Sequence, residues 1–225
     1  MVAVLEPKTE SSRSGGWMGI GFFVLFVAGF LTFTTPDDAK NTAKWARWWT
    51  DSGHRVAAVI GTFLIILGLL AFVWFAASLQ RWLGGAGHVA GTMLVTFATL
   101  FVAAAGVSTM LRAAIPGGKL FGDTPVPAGA DLARQFDNAG FAILLIAGAL
   151  AAGAFVITAS YLARVTGALP NWLIIAGFIV GVLQIAAGLF FPFLLFLLWV
   201  LAVSIVLVRA RPEVVVLEVD VVPTV

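Results

Sequence analysis

The chain has 225 residues, of which 61% are hydrophobic and 11% charged, where a soluble globular domain carries roughly 25% charged residues; mean hydropathy is +1.05. That composition points to an integral membrane protein, and 13 basic against 11 acidic side chains leave no basic face for nucleic acid. With no cysteine, disulfides, thiolate chemistry, iron–sulfur clusters and the common structural zinc sites are excluded.

The first 16 residues, MVAVLEPKTESSRSGG, contain Glu6 and Glu10 and lack the basic start, short apolar core and small-residue end of a cleaved signal. Residues 1–15 are read as a mobile polar lead on the cytoplasmic side. A bilayer core about 30 Å thick needs roughly 20 apolar residues in helix. That ruler places a transmembrane domain over 16–209, with spans at about 17–34, 56–78, 88–111, 139–161, 172–189 and 191–208. None of the first four carries a charge within these bounds. The fold class expected is all-α: a polytopic transmembrane helical bundle of six spans.

After the first span comes WARWWTDSGHR. On a helix Trp45, Trp48 and Trp49 share one face, while Lys40, Lys44, Arg47 and Asp51 repeat along another. This predicts a short amphipathic helix lying on the outer interface, its three tryptophans serving as an anchor among lipid headgroups. Asp51 or Ser52 then caps the second span. Between the third and fourth spans, IPGGKLFGDTPVPAGADLARQFDNAG reads as a Gly/Pro-rich connector ending in a short helix, Asp131 to Phe136.

The block from Trp172 to Val208 is too long for one crossing and suits two short ones. Gly188 is expected to end one helix and Pro192 to open the next, as Pro170 opens the fifth; one long kinked helix is the alternative. The last residues, 210–225, form a cytoplasmic tail in which EVVVLEVDVV is either a strand seeking a partner or disordered.

Short basic connections such as RWLGGAG and ARVTGALP, with RAR after the last span, place both termini in the cytoplasm by the positive-inside rule. Trp17, Trp82 and Trp172 then fall at one interface, and Trp45, Trp48 and Trp49 at the other.

On this map Asp51, His54, Arg55, Arg112, Arg134, Asp137 and Asn138 all lie at outer helix ends, where they form a candidate pocket. A carboxylate three or four residues before a histidine and an arginine can orient an imidazole or take a proton. Anchoring and capping account for the same residues around WARWWTDSGHR without chemistry. No catalytic residue is assigned. His54 and His88, the two histidines, fall on opposite faces, so they share neither a metal nor a haem, and no cofactor or metal is expected. Gln184 is the candidate lining residue of a permeation path, although intramembrane Gln, Ser and Thr commonly bond to helix carbonyls instead. Gly15/Gly19, Gly87/Gly91 and Gly177/Gly181 supply small-xxx-small contacts, expected mainly within the chain.

Taken together, WWTDSGHR, AAVIGTFLIILGLLAFVWFAASLQRWL, TGALPNWL and FFPFLLFLLWVLAVSIVLVRAR resemble uncharacterised multi-pass membrane proteins of actinobacteria, over most of residues 17–211. The resemblance lies in apolar pattern and loop layout. It implies six spans and a bacterial plasma (inner) membrane, and it carries no activity or site residues with it. The function expected is a non-enzymatic structural, assembly or accessory subunit, with the lipid bilayer and a second copy or membrane complex as partners. The alternatives are a transporter or pore for a small neutral or lipophilic solute, and an outer-leaflet lipid-modifying enzyme.

Overall fold

The computed structural model describes residues 8–36, 42–84, 89–122 and 131–209. His88 and the tail 210–225 lie outside them. Among the described residues the chain is all helix and short turns. The helices are α1 (Lys8–Thr32), α2 (Thr42–Thr50), α3 (Ser52–Trp82), α4 (Val89–Gly122), α5 (Asp131–Ile143), α6 (Ala149–Thr166), α7 (Asn171–Leu183) and α8 (Phe191–Arg209). A π-helical turn, Leu144–Gly148, joins α5 to α6 without a break, and a 3-10 segment, Gln184–Leu189, follows α7.

Six helical stretches are long and apolar enough to cross a membrane: α1, α3, α4, α5 through α6, α7 with its 3-10 segment, and α8. Their outer faces carry exposed large apolar side chains, among them Phe63, Leu70, Ile146 and Ile185. Such a surface is of the kind that hydrocarbon solvates, since a helix pairs its interior backbone groups within itself.

Several elements reach further than the apolar ruler placed them. α1 begins at Lys8, so the second half of the polar lead is helical. α4 runs on through Pro116 to Gly122, and α5 starts at Asp131 and continues directly into the fourth spanning stretch instead of stopping as a separate short helix. The connector is therefore largely helical, and α3, α4 and α5 project beyond the apolar stretches at the end of the bundle where α2 lies. Pro116 cannot donate the bond that Arg112's carbonyl would otherwise receive, yet the helix continues through it, buried against its neighbours.

The two short apolar helices are present, with a different turn residue from the one expected. Pro192 sits in the first turn of α8, but the chain reverses at Phe190, whose φ is 64° and ψ −38°, while Gly188 stays within the 3-10 segment. Phe190 stacks on Phe30 at 5.4 Å between centroids, which fixes the ring at a backbone angle that costs a non-glycine residue about 1–3 kcal/mol. The 3-10 segment adds reach: at about 2.0 Å rise per residue against 1.5 Å in α-helix, α7 and its extension span about 30 Å.

The centre of the bundle is a layer of phenylalanines. Phe22 (α1), Phe72 (α3), Phe101 (α4), Phe155 (α6), Phe193 and Phe196 (α8) are all at or below 1% exposure. Phe72 is the hub, 4.8 Å from Phe22, 5.1 Å from Phe101 and 5.2 Å from Phe155 between ring centroids. Tilted and edge-on ring pairs of this kind contribute about 0.5–1.5 kcal/mol each beyond the area they bury.

Small residues set the helix spacing. A Cβ on Gly29 or on Gly61 would stand 2.7 Å from the carbonyl oxygen of the other, which marks a close backbone-to-backbone crossing of α1 and α3. Gly15 and Gly19 face Ser78 and Ser204, and Gly177 and Gly181 face Ser160 and Ile157. These small-xxx-small pairs are used within the chain; Gly87 lies outside the described residues.

Candidate functional site

The α2–α3 junction is held by the polar end of WARWWTDSGHR. Asp51 has extended backbone angles and its Oδ1 accepts from the Gly53 N–H at 2.7 Å, so it is the N-cap of α3. One turn on, Arg55 reaches back and donates from one terminal nitrogen to the carbonyls of Trp49 (2.9 Å) and Thr50 (2.8 Å), occupying the orphan acceptors at the end of α2. The His54 ring lies flat on Trp48, 3.6 Å between centroids and 5° between planes, with Nδ1 3.3 Å from the Trp48 carbonyl. All three polar residues are thus engaged in fixing α2 against α3.

The tryptophans divide. Trp45 and Trp49 are 3% and 2% exposed and pack with Phe33, Ala58, Ala113 and Ala133, so their rings are covered by protein instead of resting among headgroups. Trp48 is half-buried, packed against the same cluster and stacked on His54. The reason is the projection of α3, α4 and α5 past their apolar stretches, which supplies a protein surface where the sequence alone suggested lipid.

The second polar group joins α4 to α5. Arg112 donates from Nε to Asp137 Oδ1 at 2.8 Å, with side-chain exposures of 5% and 9%. The guanidinium lies between two rings, 4.4 Å from the centroid of Phe33 and 4.0 Å from that of Phe141, an arrangement in which ring quadrupoles and the carboxylate together replace lost hydration. Gly140 allows it: a Cβ there would stand 2.7 Å from the Ser108 carbonyl oxygen and 2.5 Å from Arg112 Cγ. Asp137 and Gly140 are three apart on α5, and Ser108 and Arg112 four apart on α4, so each pair shares a face.

Of the remaining candidates, Arg134 pairs with Asp131 one turn away at 3.1 Å on the surface, and Asn138 is exposed. The seven residues therefore form two fixed clusters, Asp51/His54/Arg55 and Arg112/Asp137, with Arg134 and Asn138 outside both. A cavity of about 490 Å³ lies between the clusters, walled by Phe30, Phe33, Phe141, Trp48, Lys44 and Arg112. Beside it a cavity of about 420 Å³ shares Lys44 and Trp48 and adds Arg47, Asp51 and His54. The Arg112 ring sandwich was not legible in the sequence, because Phe33 follows α1 while Arg112 is on α4 and Phe141 on α5.

Gln184 is 1% exposed. Its Nε2 donates to the carbonyls of Pro192 (2.6 Å) and Val180 (3.3 Å), tying the 3-10 segment to α8, while its Oε1 is buried without a partner. It lines neither of the two cavities above. Thr62, Thr109, Thr158 and Ser204 each donate to the carbonyl four residues earlier, consuming their polarity within their own helices. Among the described residues no three of His, Cys, Asp and Glu gather into a group able to hold a metal ion.

Among the described residues, fold and site together define an all-α helical bundle with six helical stretches long and apolar enough to cross a membrane, and a small, aromatic- and cation-lined cavity at the α2 end. Comparison with protein-family models, curated proteins and solved structures yields no match.

Proposed function

We propose that the chain is a non-enzymatic integral protein of a bacterial plasma membrane, both termini cytoplasmic, acting as a structural, assembly or accessory subunit by helix packing with a second copy or a partner complex. The observation that carries this reading is the phenylalanine layer. Rings from five helices fill the middle of the bundle, where a carrier or pore needs polar groups or water. Gln184 supports it by spending its amide N–H on carbonyls of the α7–α8 turn.

An outer-leaflet lipid-modifying enzyme acting through Asp51 and His54 has less support, since Asp51 is the cap of α3 and His54 is stacked on Trp48. The test is purification from native membranes in a mild detergent, with the protein mass measured by light scattering. A defined species well above the 23.7 kDa chain, retained through two affinity steps, is expected. A strictly monomeric protein with no co-purifying partner contradicts the proposal.

A further inference from the structure

The cavity between α1, α2, α4 and α5 has a composition suited to one class of ligand. Its polar lining is Lys44, Arg112 and Trp48, together with Thr34 and Thr35. Lysine, arginine and tryptophan side chains are donors only, the threonines donate as well as accept, and among the described residues no carboxylate lines this cavity. Asp137 accepts from Arg112 Nε, and the guanidinium of Arg112 has further donors beyond that bond. The Trp48 indole N–H is buried without a partner. A donor-lined cavity of this kind calls for an anion rich in acceptor oxygens.

The rest of the lining is largely apolar, including Phe30, Leu31 and Phe141, and Leu31 is 69% exposed on the outer face of α1. With Leu31 in its lining the cavity reaches the outer face of α1, with Lys44 and Trp48 on its α2 side and Phe30 and Leu31 on its α1 side. The ring pair on Arg112 holds the guanidinium plane in place before any ligand arrives, which lowers the ordering cost of binding. At about 490 Å³ the volume is within the roughly 300–1,000 Å³ of small-molecule sites.

We propose that this cavity binds the phosphate of an anionic lipid headgroup, with Lys44, Arg112 and Trp48 facing the phosphate oxygens and the proximal acyl chain running over Phe30 and Leu31. Basic pockets between membrane helices select anionic headgroups in this way. The site does not depend on the accessory role proposed above.

The test uses the full chain in detergent micelles doped with equal amounts of phosphatidylglycerol and phosphatidylcholine, with retained lipid read by native mass spectrometry. Preferential retention of phosphatidylglycerol is expected, falling about fivefold in Lys44→Gln and unchanged in Arg164→Gln at the other end of the bundle. Lys44 is exposed, and circular dichroism checks that its substitution keeps the fold. Thermal stabilisation by inorganic phosphate alone, with no lipid preference, identifies free phosphate as the source of the same anion. Equal retention of both lipids together with no effect of phosphate overturns the proposal, as does a preference that Lys44→Gln leaves untouched.

Discussion

Asp137→Leu removes the carboxylate from a buried pair and leaves the Arg112 charge between two phenylalanine rings. With Nε and Oδ1 at 2.8 Å the charge centres lie about 4 Å apart, and at an effective dielectric near 20 their attraction is about 4 kcal/mol. Breaking a buried pair from one side costs about 3–5 kcal/mol, because the surviving ion has lost both water and partner. Contact with Phe33 and Phe141 offsets about 1–2 kcal/mol of that for the orphaned cation, so the low end, about 3 kcal/mol, is expected for Asp137→Leu. The double variant Arg112→Met, Asp137→Leu replaces both charges with apolar groups of similar volume and returns to within about 1 kcal/mol of the wild type. Reversible unfolding in mixed micelles measures both. A single-variant loss under 0.5 kcal/mol, or a double variant as weak as the single, refutes the buried, mutually neutralising pair.

Other substitutions probe the elements around it. Gly140→Ala sets a methyl against the Ser108 carbonyl and Arg112 Cγ and is expected to cost about 1–3 kcal/mol by the same unfolding measurement. Arg55→Ala frees the carbonyls of Trp49 and Thr50, so amide hydrogen exchange should rise at least tenfold in α2 and the first turn of α3 while the centres of α3 and α8 stay protected. Gln184→Met removes an orphaned oxygen, and Val180's carbonyl keeps the backbone N–H of residue 184; stability within about 1 kcal/mol of wild type is expected. Phe190→Pro is incompatible with a φ of 64° and should prevent accumulation of folded protein, as read by resistance to limited proteolysis.

The expected and observed structures agree where a one-dimensional signal governs. Apolar length counts spans without reference to any other part of the chain, and the paired short helices at the end follow from the same ruler together with Pro192. Asp51 as the cap of α3 is a local chemical preference, legible in TDSGHR. The differences arise where helices meet. An apolar ruler stops at its first charge, so it ended the third span at Leu111 and began the fourth at Ala139, one residue before Arg112 and two after Asp137. Those residues enter the helices because each supplies what the other's burial requires, and nothing in either segment alone announces the partner. The inward turn of Trp45 and Trp49 has the same origin: an amphipathic face is visible in sequence, but whether lipid or protein covers it depends on α4 and α5 reaching that far. The reversal at Phe190 rather than Gly188 reflects a ring held by Phe30, a contact made across the bundle.

The claim that matters most is that this chain works by packing against another membrane helix. Site-specific photocrosslinking in intact membranes tests it directly, with the probe placed in turn at Phe63, Leu70, Ile146 and Ile179, all exposed on the outer faces of their helices. A discrete adduct from a subset of these positions, on one side of the bundle, is the predicted result. Uniform labelling of lipid at all four, with no protein adduct at any, contradicts it.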